Sequence, residues 1–311
     1  MSGFGPPPRR VVVLGATGCM GRRITRAFAD QGTEVTAVAR RGPAPPGADR
    51  LRTLDAARET AGRLAELLVE ERAEAVVNAT LGWGDDLHST NVTVVEHLLA
   101  ALACLPAPPR LVHLGTIHEY GPVPHGTSID ETVPPRPQQP YPRSKLTAAK
   151  QILAASAAGT VDATVLRLTN TIGPEPAEES FFGSLAARLR DEPDTIELTV
   201  ADAHRDYLDS RDAADAVVRA AAAPTGHGVL NLGSGEARPI ADLVDALVRA
   251  SGRPPESVLT RAGSVASRGG DWIRVDNGRA RRLLGWRPRH DPDASMRALW
   301  NSVRAATLQP R

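Results

Sequence analysis

Tyr141 and Lys145 stand four residues apart in Tyr141-Pro142-Arg143-Ser144-Lys145, a spacing that puts both on one face of a helix. A free phenol gives up its proton only near pH ~10. A neighbouring ammonium favours the phenolate, which brings that value toward working pH and makes the phenol a usable proton donor. Pro142 suits a first helical turn, so Tyr141 is expected at the mouth of a helix over Pro142–Ala158. Upstream, Thr116 closes the apolar run Arg110–Gly115 and offers a hydroxyl that can hydrogen-bond a substrate oxygen. Thr116, Tyr141 and Lys145 are therefore the candidate catalytic residues, equipped to protonate the alkoxide formed when a carbonyl takes up a hydride.

A hydride needs a carrier, and the N-terminal segment fits one. Val11–Leu14 is a continuous branched run, followed by Gly15-Ala16-Thr17-Gly18-Cys19-Met20-Gly21. Gly15 permits a tight turn, Gly18 lets backbone N–H groups approach a pyrophosphate, and Gly21 allows close helix–strand packing. The helix that follows presents its partly positive N-terminus to the phosphates. Coenzyme contacts are expected from Gly15, Thr17, Gly18, Cys19, Met20 and Gly21, from Ala79 at the end of a fourth strand, and from Lys145. The second strand, Glu34–Ala39, ends without the carboxylate that would bind a ribose 2′-hydroxyl. Arg40 and Arg41 follow it, two guanidiniums able to grip a 2′-phosphate. NADPH is the expected coenzyme, with NADH disfavoured. Asp55, after the third strand, is either an adenine contact or a surface cap.

The elements that must position these groups alternate along the chain. Strands are expected at Val11–Leu14, Glu34–Ala39, Leu51–Leu54, Ala75–Ala79, Arg110–Thr116 and Ala163–Leu168. Helices are expected at Gly21–Gln31, Ala57–Glu70, His88–Cys104 and Pro142–Ala158. Such alternation implies an α/β Rossmann fold, a doubly wound parallel sheet. Beyond Pro174 the rhythm loosens, with helices at Phe181–Arg190, Ile240–Ser251 and Arg279–Leu284 and a last sheet strand at Val229–Leu232. Residues 1–173 are expected to form the NADP-binding domain, with 206–234 returning to it, and 174–311 mostly a smaller C-terminal substrate lobe. The Pro-rich stretch Pro122–Gln139 reads equally as a lid or a rigid spacer.

Composition excludes several classes. The 311 residues carry 37 basic and 36 acidic side chains, which argues against a nucleic-acid partner. No apolar run approaches the ~20 residues of a membrane span. Met1 to Arg10 reads as a short disordered lead, not a signal peptide. Two cysteines, Cys19 and Cys104, cannot build a disulfide framework, so a cytoplasmic enzyme is expected.

Taken together, these motifs resemble the extended short-chain dehydrogenase/reductases, the NAD-dependent epimerase/dehydratase family. Besides the glycine turn and the Tyr141/Lys145 pair, the likeness rests on Asn91-Val92, Tyr120-Gly121 and Arg167-Leu168-Thr169-Asn170. It extends through Gly173-Pro174, Arg205-Asp206-Tyr207 and Asn231-Leu232-Gly233-Ser234-Gly235 to Arg268-Gly-Gly-Asp271 and Leu284-Gly-Trp286. The resemblance implies that Lys145 also holds the nicotinamide ribose, and that Asn170, Arg205 and Arg268 contact a nucleotide-sugar diphosphate with Asp271 in support. Asp206 and Asp209 are expected to cap or orient Arg205.

Dehydratases of the family carry acidic residues just after the strand-end Thr, where this chain has Ile117 and His118. The Ala39-Arg40-Arg41 ending argues against epimerases that recycle a bound coenzyme. The run Leu114-Gly-Thr-Ile-His-Glu-Tyr-Gly-Pro-Val-Pro is most similar to 4-ketoreductases of dTDP-4-keto-6-deoxyhexoses in deoxysugar and natural-product biosynthesis. A dTDP-linked nucleotide sugar is therefore the expected substrate. The alternatives are a nucleotide-sugar 4-epimerase and a reductase of a non-nucleotide ketone. His118 is a substrate contact or second proton donor, or else a histidine bonded to backbone. Trp83 packs on sugar or nicotinamide, or simply anchors its loop. The resemblance further implies a homodimer built on the helices at 88–104 and 142–158.

Overall fold

The computed structural model describes residues 5–192, 195–263 and 270–306. The first half alternates β1 (Arg10–Leu14), α1 (Cys19–Ala29), β2 (Glu34–Ala39), β3 (Arg50–Thr53), α2 (Ala61–Glu70) and β4 (Ala75–Asn78). It continues with α3 (Val94–Ala103), β5 (Arg110–Thr116), α4 (Pro140–Ala157) and β6 (Ala163–Leu168). Then come β7 (Asn170–Ile172), α5 (Phe181–Asp191), β8 (Ile196–Val200), β9 (His204–Arg205), β10 (Tyr207–Asp209), α6 (Ser210–Ala222) and β11 (Gly228–Leu232). The chain closes with β12 (Arg238–Pro239), α7 (Ile240–Ser251), β13 (Val258–Ala262), β14 (Trp272–Ile273), α8 (Gly278–Leu284) and α9 (Pro292–Ala306).

Seven strands form one parallel sheet in the order β11-β6-β5-β4-β1-β2-β3, the doubly wound Rossmann arrangement expected from the alternation. Successive residues of a strand point to opposite faces, and β1 shows what that does. Val11 and Val13 join Ile24 and Phe28 of α1 and Ala213 and Val217 of α6 in one core layer. Val12 and Leu14 join Leu64 and Leu67 of α2, Leu98 of α3 and Ile152 of α4 in the other. Each fully buried Leu, Ile, Val or Phe favours the folded state by ~1.5–3 kcal/mol. The order reverses between β1 and β4, so a cleft opens beyond the carboxyl ends of these strands. Leu14 lies level with Asn78 and Thr116 with Leu168, which brings the glycine turn and the strand-end hydroxyl to the same edge of the sheet.

A third core gathers Phe182, Leu185, Leu243, Leu247, Leu299 and Trp300 from α5, α7 and α9. The chain returns from it to the sheet through α6 and β11. Pro122–Gln139 is pinned down. Ile129 pairs with Val275, its N–H donates to Arg274 O at 2.8 Å, and Glu131 accepts the Asn231 N–H at 2.7 Å.

The stretch 88–104 is helical as expected, with a π-turn at Ser89–Thr93 that runs straight into α3. Two expectations need correction. The lead to Arg10 is packed from Pro8 onward, where Thr33 Oγ1 donates to Pro8 O at 2.8 Å and Arg9 pairs with Glu74 at 3.0 Å. Asp206 serves a different partner from Arg205. Its carboxylate accepts N–H groups from Ser234, Gly235 and Val275 and the Ser234 hydroxyl. Asp209 caps α6 and pairs with Arg211.

Candidate active site

Gly15 takes φ +74°, and a Cβ there would lie 2.9 Å from Ala79 O; only glycine fits so strained a turn so close to a neighbouring strand. A Cβ on Gly21 would strike Gly15 O and the Ala16 backbone. Gly18 is the N-cap of α1 and makes no side-chain bond. Such a bare backbone rim at a helix N-terminus fits the pyrophosphate of a dinucleotide. Thr17 and Met20 lie in this turn, and Cys19 opens α1 with its thiol on Glu175 O at 3.5 Å; burial pushes that thiol's pKa up. Arg40 pairs with Asp86 at 3.1 Å, both half-exposed, and Arg41 is exposed. Asp55 accepts the Ala57 N–H at 3.1 Å and lies 3.6 Å from Arg58, the bonding of a surface cap.

Across the cleft, α4 begins two residues earlier than expected, so Tyr141 sits inside its first turn. Trp83 stacks on Tyr141 with ring centroids 4.1 Å apart. Asn91 makes this stack possible. Its amide accepts the Gly82 N–H at 3.1 Å and donates to Gly82 O at 3.2 Å. It also donates to Ser144 Oγ at 3.1 Å, and Ser144 donates to Tyr141 O at 2.8 Å. One buried amide thus fixes both the Trp83 loop and the Tyr141 turn. Lys145, one turn further along, is 2% exposed. Burial pulls its ammonium down to about 8, against the opposing charge of Glu119.

Thr116 ends β5 and accepts the His118 N–H at 3.4 Å. His118 Nε2 lies 3.2 Å from Asn170 Oδ1, so the turn after β5 reaches the start of β7. A cavity beside it is lined by Ile117, His118, Gln139, Pro142 and Ile273. Arg205, on β9, is buried and donates to Gly270 O at 3.3 Å. Arg268 lies outside the described residues. The structure therefore gathers Trp83, Tyr141, Ser144 and Asn91 into one cluster and Thr116, His118 and Asn170 into another. Arg40, Arg41 and Asp55 follow the carboxyl ends of β2 and β3, the sheet edge that also carries the glycine turn.

Residue reasoning missed Glu119 and Arg167, a buried pair joined at 2.7 Å. It also missed His113, fully buried on β5. Thr116-x-x-Glu119 is a capping-box spacing and could have flagged the turn, but nothing local connects Glu119 to a residue 48 positions away.

Comparison with known proteins fits this geometry. Residues 11–233 match the NAD-dependent epimerase/dehydratase family. The chain belongs to that family. It is 38% identical over 310 residues to a dTDP-6-deoxy-L-talose 4-dehydrogenase (NAD(P)(+)) of Kitasatospora kifunensis, covering 97% of this chain and 98% of the relative. It is 25% identical to a UDP-glucose 4-epimerase of Rhizobium leguminosarum bv. trifolii, over 77% of this chain and 80% of that one. Among solved structures, RMD from Pseudomonas aeruginosa in complex with NADPH superposes with a TM-score of 0.80 at 22% identity, covering 96% and 99% of the two chains. A UDP-glucose 4-epimerase of Thermotoga maritima with UDP-glucose gives 0.83 at 19%, over 96% and 100%. These two likenesses establish the shared fold. No helix among the described residues is long and apolar enough to cross a membrane.

Proposed function

We propose that this chain uses NADPH to reduce the C4 keto group of a dTDP-4-keto-6-deoxyhexose, the step that a 4-dehydrogenase runs in the opposite direction. The observation that carries this reading is the buried Lys145 one helical turn past Tyr141, beside the turn that follows Thr116. When bound, the nicotinamide supplies a hydride to a carbonyl carbon. The chain's own residues do the rest. The Thr116 hydroxyl holds the carbonyl oxygen, Tyr141 gives its phenolic proton to the new alkoxide, and the Lys145 ammonium stabilises the phenolate left behind. Trp83 covers one face of the phenol.

Asn170 and Arg205 hold the diphosphate, Arg205 through its planar fork of donors, and Arg268 is assigned the same role. The dTDP assignment is supported by the 38% identical relative, whose name specifies a dTDP sugar. The NADPH preference is supported by Ala39-Arg40-Arg41. An exposed ion pair such as Arg40–Asp86 is worth only ~0–1 kcal/mol, so Arg40 exchanges it readily for a 2′-phosphate. Elimination of water is disfavoured, because Ile117 and His118 occupy the places of an acid/base pair and Glu119 is buried against Arg167. A homodimer through α3 and α4 completes the proposal.

Two measurements test the reading. NADPH oxidation on adding a 4-keto-6-deoxy sugar nucleotide is the expected activity, and equal rates for wild type and Tyr141→Phe would remove Tyr141 from the mechanism. Millimolar dTDP is expected to raise Tm. No shift would favour a reductase of a non-nucleotide ketone.

A further inference from the structure

We propose that His118 is a positioning residue for ligand binding: its Nε2–H holds the Asn170 amide by the oxygen and leaves that amide's two N–H donors for an anionic group. This role rests on the proposed diphosphate contact of Asn170 and Arg205, and adds the residue that decides which end of the amide the diphosphate meets.

The turn after β5 fixes where His118 stands. Thr116 accepts the His118 N–H at 3.4 Å and Glu119 accepts the Thr116 N–H at 2.8 Å, a capping box over Ile117–Tyr120. Glu119 is fully buried and tied to Arg167 at 2.7 Å, so the turn is anchored in the core. From it the His118 ring reaches the start of β7, where Nε2 lies 3.2 Å from Asn170 Oδ1. An amide oxygen only accepts, so the proton of this bond sits on Nε2. With its oxygen taken, Asn170 has its –NH₂ left to offer, two donors and no acceptor. Turned through half a rotation, the same amide would offer an oxygen, which repels a phosphate.

The surroundings suit a diphosphate. Asn170 is half-buried and lies level with Tyr207 of β10, two residues past the buried Arg205. Arg205 donates to Gly270 O at 3.3 Å, and Gly270 lines the cavity together with Ile117, His118, Gln139 and Pro142. Pro142 follows Tyr141, so the cavity runs from the proposed proton donor toward the Arg205 end. The carboxylates of the same segment are engaged elsewhere. Asp206 accepts N–H groups from Ser234, Gly235 and Val275, and Asp209 caps α6. An amide –NH₂ on the strand next to a guanidinium is an arrangement for an anion. The Nε2 proton is committed to that amide, which separates this role from that of a second proton donor.

His118→Ala should weaken dTDP binding about tenfold, the loss expected when a hydrogen bond to a charged group goes, and should raise the substrate KM more than it lowers kcat. Asn170→Ala should cost as much. The double variant should match Asn170→Ala alone within about twofold, because His118 acts only through that amide. His118→Gln, whose amide nitrogen can stand where Nε2 stood, should recover most of the loss. A His118→Ala affinity within about twofold of wild type, or losses that multiply in the double variant, would overturn the proposal. A second measurement needs no ligand. Nitrogen-15 spectra of the wild-type histidine rings, with His118 identified by the signal missing from His118→Gln, should show the neutral ring protonated at Nε2. Protonation at Nδ1 would put a lone pair against the amide, draw its –NH₂ and overturn the proposal. Protonation at Nε2 without any binding of millimolar dTDP would count against the nucleotide-sugar reading and leave the seating of Asn170 standing.

Discussion

Replacing Lys145 with Met should make the protein more stable and abolish its chemistry. Lys145 falls from 10.5 to about 8 because burial penalises its charge. At ~1.36 kcal/mol per unit, the folded state without coenzyme carries about 3 kcal/mol of charge-burial cost at neutral pH. The sign follows from proton counting. Between pH 8 and 10.5 the unfolded chain binds more protons at this lysine than the folded one, so this group's contribution to stability rises with pH through that window. The cost is fully present below the folded value and is relieved by the unfolded value. Met has similar length and no charge, so Lys145→Met should be more stable by up to about 3 kcal/mol at pH 7, several degrees of Tm in a chain of this size. That advantage should shrink toward zero near pH 10.5. Urea unfolding of both proteins at pH 7, 9 and 10.5, without coenzyme, measures it. A variant no more stable than wild type at pH 7, or an advantage that does not shrink with pH, would refute the reasoning.

Other perturbations follow from the same geometry. Tyr141→Phe removes the proposed proton donor and should cut kcat by ~10²–10⁴-fold while coenzyme affinity, read by NADPH fluorescence, holds. Trp83→Ala loses an aromatic pair worth ~0.5–1.5 kcal/mol, which should lower kcat/KM about three- to tenfold and leave the coenzyme Kd unchanged. Arg40→Glu puts a carboxylate where a 2′-phosphate would sit. Losing one charge-assisted bond of ~1.5–3 kcal/mol should raise the NADPH KM ten- to a hundredfold with little effect on NADH. Gly21→Ala, whose new methyl would strike Gly15 O, should abolish coenzyme binding and lower Tm.

Much of this molecule can be read from its residues, for physical reasons that also explain the misses. β1, β5 and β6 declare themselves because strands of a parallel sheet covered on both faces are continuous apolar runs. The glycine turn declares itself because backbone strain and close approach admit no side chain. After Pro174 the helices at Phe181–Arg190, Ile240–Ser251 and Arg279–Leu284 are legible as α5, α7 and α8, but the small strands of the lobe between them are not. β9, β12 and β14 are two residues each, too short for any period to register, and α9 lies beyond the last element the pattern suggested. The π-turn that leads into α3 lies within an unbroken helix, so helical spacing alone does not reveal it. Glu119 and Arg167 escaped because a buried ion pair is a long-range fact.

The most direct test of hydride transfer at Tyr141 and Lys145 is isotopic. Wild-type protein would be incubated with a 4-keto-6-deoxy sugar nucleotide and NADPH carrying deuterium at the transferable position of the nicotinamide. Deuterium should appear at C4 of the resulting alcohol, in step with NADPH consumed, and Tyr141→Phe should give almost none. A sugar that changes configuration without taking up the label, or one left untouched while dTDP binds, would contradict the account.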